Sequence, residues 1–96
     1  MKDDRQLLAE YVRDGGEATF AQIVAGNVGM VYSVCRRILG DSHLSEDATQ
    51  AVFFLLARKA ASLHGNVILA GWLHKTARNV CANLRRSELI RRRHEM

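Results

Sequence analysis

The 96-residue chain contains no proline and only two cysteines, and each shortage excludes something. Without proline, no position is barred from a helix interior. Cys35 and Cys81 stand far apart with no CxxC or HxxxH pattern nearby, so spacing supports neither a disulfide framework nor a zinc site. No uninterrupted apolar run approaches the roughly 18 residues of a membrane-spanning helix. The opening Met1-Lys2-Asp3-Asp4 lacks the apolar stretch of a secretory signal. These features point to a reducing cytoplasm and to no membrane. The length allows one domain with one modest core, but no deep cleft walled by two domains. A hydrophobic fraction of 48% with 25% charged residues excludes wholesale disorder.

Charge is unevenly spread. Residues 1–57 carry five basic and eight acidic side chains, whereas residues 72–96 carry seven basic and two acidic ones, within an overall net charge of +4. A mildly acidic front and a basic tail suit two different partners, the second a polyanion. A merely solvated helix face would carry the same run.

A 3.6-residue apolar rhythm makes the chain all-α, a compact bundle of four helices with short connections. The first helix covers Asp3 to Asp14, with Leu7, Leu8, Tyr11 and Val12 on its inner stripe, and Gly15-Gly16 stops it. The second runs from Glu17 to Leu39, with Phe20, Ile23, Val24, Val28, Val31, Tyr32, Cys35, Ile38 and Leu39 inward. Gly26 and Gly29 weaken it by roughly 1 kcal/mol each and predict a bend or close helix packing rather than a break. Gly40 is the expected C-cap. The third helix opens at Asp41-Ser42, with Ser42 or Ser45 as N-cap and Glu46-Asp47 in the first turn, and continues to about Ala60. A loop follows, and the fourth helix runs from between Leu69 and Trp72 to about Arg93.

The third helix is apolar almost all round, through Ala48, Ala51, Val52, Phe53, Phe54, Leu55, Leu56 and Ala57. A small bundle needs only one stripe of roughly 100° from each helix. Either this helix is central or another protein covers its second face. Asp47, Gln50 and Phe54 share a face at spacings of three and four, a polar pair beside an aromatic ring that suits partner docking. On the fourth helix, Lys75, Arg78, Asn79, Asn83 and Arg86 form a polar stripe after Trp72, opposite Leu73, Thr76, Ala77, Val80, Cys81 and Leu84. Lys and Arg neutralise phosphates, Asn can read a base edge, and an aromatic ring can stack on an unpaired base. Trp72 taken alone reads first as a core side chain; the stripe as a whole reads as nucleic-acid contact.

In order, Glu17-Ala18-Thr19-Phe20, Ile38-Leu39-Gly40-Asp41, the block from Glu46 to Phe53 (EDATQAVF), the block from Trp72 to Asn79 (WLHKTARN) and Arg85-Arg86 resemble region 2 of extracytoplasmic-function (ECF) sigma factors of the sigma-70 family. The resemblance spans about residues 5 to 93, and the two blocks together are far more specific than either alone. It implies a bacterial transcription-initiation factor, not an enzyme, with no cofactor. Asp47, Gln50 and Phe54 would contact the β′ clamp helices of core RNA polymerase. Trp72, Lys75, Arg78, Asn79, Asn83 and Arg86 would face the −10 promoter element. The loop from Leu63 to Ala70, with His64 and Asn66, would hold a flipped base of the non-template strand. An anti-sigma factor is a further partner that the resemblance leaves open.

The sequence departs from the pattern at several places. Ala51 stands where the family commonly has Glu, which weakens or reshapes the docking contact. Gly71 precedes a single Trp72 where housekeeping sigma factors have two tryptophans, which fits sequence-dependent melting. Asn83 replaces a common Asp and favours DNA contact over an ion pair. The helix-turn-helix region 4 that reads the −35 element is not among these residues. The remaining histidines, His43, His74 and His94, show no ligand spacing with a cysteine, and no catalytic constellation or metal site is expected. The alternative function is a helical protein-interaction adaptor whose basic tail binds nucleic acid without specificity.

Overall fold

A computed structural model describes residues 2–63, 65 and 67–95. Among these described residues four helices follow one another: α1 (Asp4–Asp14), α2 (Glu17–Leu39), α3 (Ser42–Lys59) and α4 (Leu69–Glu95), with a short 3-10 turn at Ala60–Ser62 after α3. The all-α bundle is the one the apolar rhythm predicts.

Local chemistry sets the helix ends. Asp3 caps α1, its carboxylate accepting from the Gln6 N–H at 2.9 Å while the Gln6 side chain accepts from the Asp3 N–H at 3.0 Å. This reciprocal pair satisfies two otherwise orphaned donors. Gly15 and Gly40 end α1 and α2 in the left-handed region, at φ 66° and 70°, where a side chain is disfavoured. The cap of α3 differs from expectation. It is Asp41, whose carboxylate accepts from the Leu44 N–H at 2.9 Å, not Ser42 or Ser45. Ser45 is buried one turn inside and donates to the Asp41 carbonyl at 2.6 Å. Glu46 and Asp47 therefore lie beyond the first turn.

The core is built from Leu7 and Leu8 of α1, Ile23, Val31, Val34 and Cys35 of α2, Ala48, Val52, Phe53 and Leu56 of α3, and Leu69, Leu73, Ala77 and Cys81 of α4. Tyr11 and Phe20 bring α1 against α2, their ring centroids 5.0 Å apart. Two residues expected inward are exposed: Val12 (44%) and Val28 (39%) lie at the edges of their stripes. Asn27 is buried in their stead, its amide donating to the Ile23 carbonyl at 2.9 Å. Helix α2 runs unbroken through Gly26 and Gly29, and a Cβ at either would meet nothing within 4 Å, so close packing does not explain them. By length and mean hydropathy (1.3 over 18 residues) α2 could cross a bilayer, because averaging dilutes its few polar residues. Its Ile23–Val31–Cys35 stripe is in the bundle core.

Helix α4 is 27 residues long, about 40 Å at 1.5 Å per residue. Its last fully buried residue is Cys81, so the C-terminal half outruns the other helices and the molecule measures 51 × 22 × 22 Å.

Candidate functional site

The third helix resolves its own ambiguity. Ser45, Ala48, Thr49, Val52, Phe53 and Leu56 turn inward. The Thr49 hydroxyl is satisfied within the helix, donating to the Ser45 carbonyl at 2.7 Å. Asp47, Gln50 and Phe54 are all exposed, Phe54 by 61%. Arg58, one turn further on, holds its guanidinium carbon 5.9 Å from the Phe54 ring centroid. Helix α3 is therefore not central. One stripe is core, and an aromatic ring flanked by polar side chains stands free on the other.

A second feature lies between α3 and α4. Trp72, Lys75, Asn79 and Asn83 line a groove of about 320 Å³ with Thr76 and Val80, facing Leu55 and Lys59 of α3. Trp72 serves both readings: half-buried against the core, it also borders the groove. Lys59 was not singled out from sequence; its position one turn after Leu55 and its basic charge were the available signals. The polar stripe of α4 divides here. Arg78 turns to the opposite side, toward α2, in a hollow with His74, Val34, Arg37 and Ile38. Arg86 is exposed on the stretch of α4 beyond Cys81 and does not line the groove.

Electrostatics separate these cations from the tail. Glu88 pairs with Arg91 at 2.6 Å and lies 3.8 Å from Arg92, so part of the tail charge is neutralised within α4. Among the described residues, Lys59, Lys75, Arg78 and Arg86 make no ion pair. Their charge is available to a polyanion.

In the loop before α4, His64 and Asn66 lie outside the described residues. Of the remainder, Ile68 is 77% exposed while Leu69 is buried. Gly65 is held from α1, its carbonyl accepting from Arg5 Nε at 2.6 Å. Nothing local in the sequence could have announced a bond across sixty positions. Cys35 and Cys81 are both buried and unbridged. Burial, followed by hydrogen bonding with the Cys35 thiol, pushes the Cys81 thiol up to about 12. That keeps it protonated and unreactive. Among the described residues no three His, Cys, Asp or Glu side chains gather as a metal site would require.

The profile of the Sigma-70 region 2 family matches residues 23–90, which is 68 of the 96 residues. The chain belongs to the sigma-70 region 2 family. This family of transcription-initiation factors binds core RNA polymerase and promoter DNA. The match takes in all of α3, the α3/α4 groove and α4 as far as Ile90, and it begins within α2, so α1 lies outside it. Both exposed features of this sigma region 2 domain therefore fall within the matched segment. No match was found among curated protein sequences.

Proposed function

We propose that this sigma region 2 domain is of the ECF type, works in the cytoplasm, and directs core RNA polymerase to promoters by recognising and opening the −10 element. Asp47, Gln50 and Phe54 of α3 dock on the β′ clamp helices. Trp72, Lys75, Asn79 and Asn83 of the α3/α4 groove take the non-template strand, and Arg78 and Arg86 hold phosphates to either side. His64 and Asn66 read a flipped base from the loop.

The observation that best supports this reading is the use made of α3. Its outer face carries an uncovered aromatic ring among polar groups, and its flank forms one wall of a basic groove edged by an indole. Opening a duplex costs stacking and pairing, and a protein offsets that cost with substitute stacking, pocket contacts and phosphate charge. The groove offers one ring, two amide side chains and two ammonium groups, which suits an unpaired strand. No bond is made or broken, so the chemistry needs only binding and positioning.

The test is competition for core polymerase against an unrelated sigma factor, paired with binding to the −10 sequence as single strand and as duplex. Asp47→Ala and Gln50→Ala each weaken polymerase binding, since deleting one partner of an interfacial polar contact costs roughly 1–3 kcal/mol. Their melting temperatures stay at the wild-type value. DNA binding favours the single strand and falls steeply with salt. A helical adaptor would neither capture core polymerase nor distinguish the strands, and that outcome would replace this reading.

A further inference from the structure

Helix α2 presents to solvent a face that its own bundle leaves uncovered. Between Glu17 and Arg36 the helix carries no charged residue at all. An 18-residue window of it has a mean hydropathy of 1.3, yet only 33% of that window is buried. The core takes the stripe through Ile23, Val31 and Cys35. At about 100° per residue, Ala21, Ala25, Val28 and Tyr32 share another stripe, with Glu17 at one end and Arg36 at the other. Ala21 and Ala25 are exposed, Val28 is 39% exposed, and Tyr32 is half-buried beside them.

The composition of this stripe decides what it fits. Its apolar part mixes small and large side chains, so each alanine leaves a gap while Val28 and Tyr32 stand proud. Gly29 borders the same stripe, and a Cβ there would meet nothing within 4 Å, so the backbone lies open to close approach. The two ends carry opposite charge. Glu17 opens the helix, and Arg36 and Arg37 lie in its last turn, where they border a shallow hollow with Tyr32 and Ser33. Among the described residues, Glu17, Arg36 and Arg37 make no ion pair. A stripe that ends in opposite charges is complementary to itself when turned end for end.

We propose that this face pairs with a second copy of the chain, in an antiparallel α2–α2 contact about a two-fold axis beside Gly26 and Asn27. That register sets Glu17 opposite Arg36 of the second copy, Ala21 opposite Tyr32 and Ala25 opposite Val28. Two-fold symmetry makes every pair twice. The large side chains then fill the gaps over the small ones, and the end charges find partners. Solvent keeps such rim ion pairs weak, so they fix the register while apolar burial holds the contact. The contact uses no residue of α3 and none that lines the α3/α4 groove, so it stands independently of the function proposed above.

The experiment is sedimentation equilibrium of the 96-residue chain from about 1 μM to about 1 mM, a span that includes weak homodimers. The wild type should pass from monomer to dimer within that range. Ala25→Leu fills the gap that Val28 of the second copy would occupy, and Arg36→Glu sets like charges against each other. Each should weaken the dimer by at least about tenfold while leaving the melting temperature of the monomer unchanged. Adding Glu17→Arg to Arg36→Glu restores opposite charges and should recover most of that loss. A wild type that stays monomeric throughout overturns the proposal. So does a dimer that both single variants leave intact, or one weakened by Arg36→Glu that the second exchange does not rescue. If the chain stays monomeric and Ala25→Leu instead lowers affinity for core polymerase, polymerase covers this face and the proposal is wrong.

Discussion

Phe53 and Phe54 are neighbours in sequence with opposite surroundings, and alanine substitutions at the two should have opposite consequences. Phe53 is 6% exposed and part of the core, whereas Phe54 is 61% exposed beneath Arg58. Truncating a buried phenylalanine costs about 3–5 kcal/mol. A domain of this size has roughly 5–14 kcal/mol of stability in total, at about 0.05–0.15 kcal/mol per residue. With each kcal/mol worth about 4–8 °C in a small domain, Phe53→Ala should lower the melting temperature by at least about 12 °C. Phe54→Ala gives up only an exposed cation–π contact, about 0.5–1 kcal/mol. Its effect belongs to binding. Full burial of a phenylalanine is worth about 1.5–3 kcal/mol, so covering the exposed 61% would contribute about 1–2 kcal/mol, or roughly 5- to 30-fold in affinity. Thermal denaturation followed by circular dichroism and a competition assay for core polymerase measure the two quantities separately. A Phe54→Ala variant that lost as much stability as Phe53→Ala, or that bound polymerase as tightly as wild type, would refute a docking role for the exposed ring.

Two further predictions concern the fold. Asp41→Ala should cost about 1 kcal/mol in urea denaturation through loss of the α3 cap, whereas Ser42→Ala should be neutral; equal effects would mean the cap is misassigned. The Cys81 thiol gives a pH dependence. Unfolded, it loses its proton near 9.0, and folded, near 12, so between those values the unfolded chain binds fewer protons and rising pH favours unfolding. Its stabilising contribution is complete below pH 9 and declines above it by at most about 1.4 kcal/mol per pH unit. Cys81→Ala, less stable at pH 8, should show a shallower alkaline decline than wild type, and an identical decline would refute the assignment.

Helix existence and most helix ends were legible because their signals are local. Gly15 and Gly40 follow apolar stripes and adopt the left-handed conformation that ends a helix. What the sequence left undecided depended on neighbours distant in the chain. Asp41, Ser42 and Ser45 are all competent caps, and only the position of the first turn selects Asp41. Val12 and Val28 fit their stripes as well as Leu8 and Val31 do, yet stripe width is set by how far the adjoining helices reach. On α4, helical periodicity groups Lys75, Arg78 and Asn79, but α3 adjoins one side and α2 the other, so Arg78 parts from the rest. Arg5 had no signal at all, because its partner Gly65 is brought to it only by tertiary folding.

The same limited burial explains how so small a domain could serve two macromolecules at once. Each helix gives one stripe to the core, and α3 divides the remainder of its circumference. At about 100° per residue, Leu55 and Lys59 lie roughly a quarter-turn around the axis from Phe54 and Arg58. A partner seated on Phe54 therefore leaves the groove wall formed by Leu55 and Lys59 uncovered, and the Trp72, Asn79 and Asn83 side chains opposite remain accessible. On the proposed reading, docking and strand capture share a rigid element without competing for side chains. A phosphate held at Lys59 would sit on the helix that also carries the docking face, so Lys59→Ala should weaken single-strand binding by lowering the salt slope by about one, without changing affinity for core polymerase. Loss of polymerase affinity in that variant would show that the two faces overlap and that α3 is not divided between them.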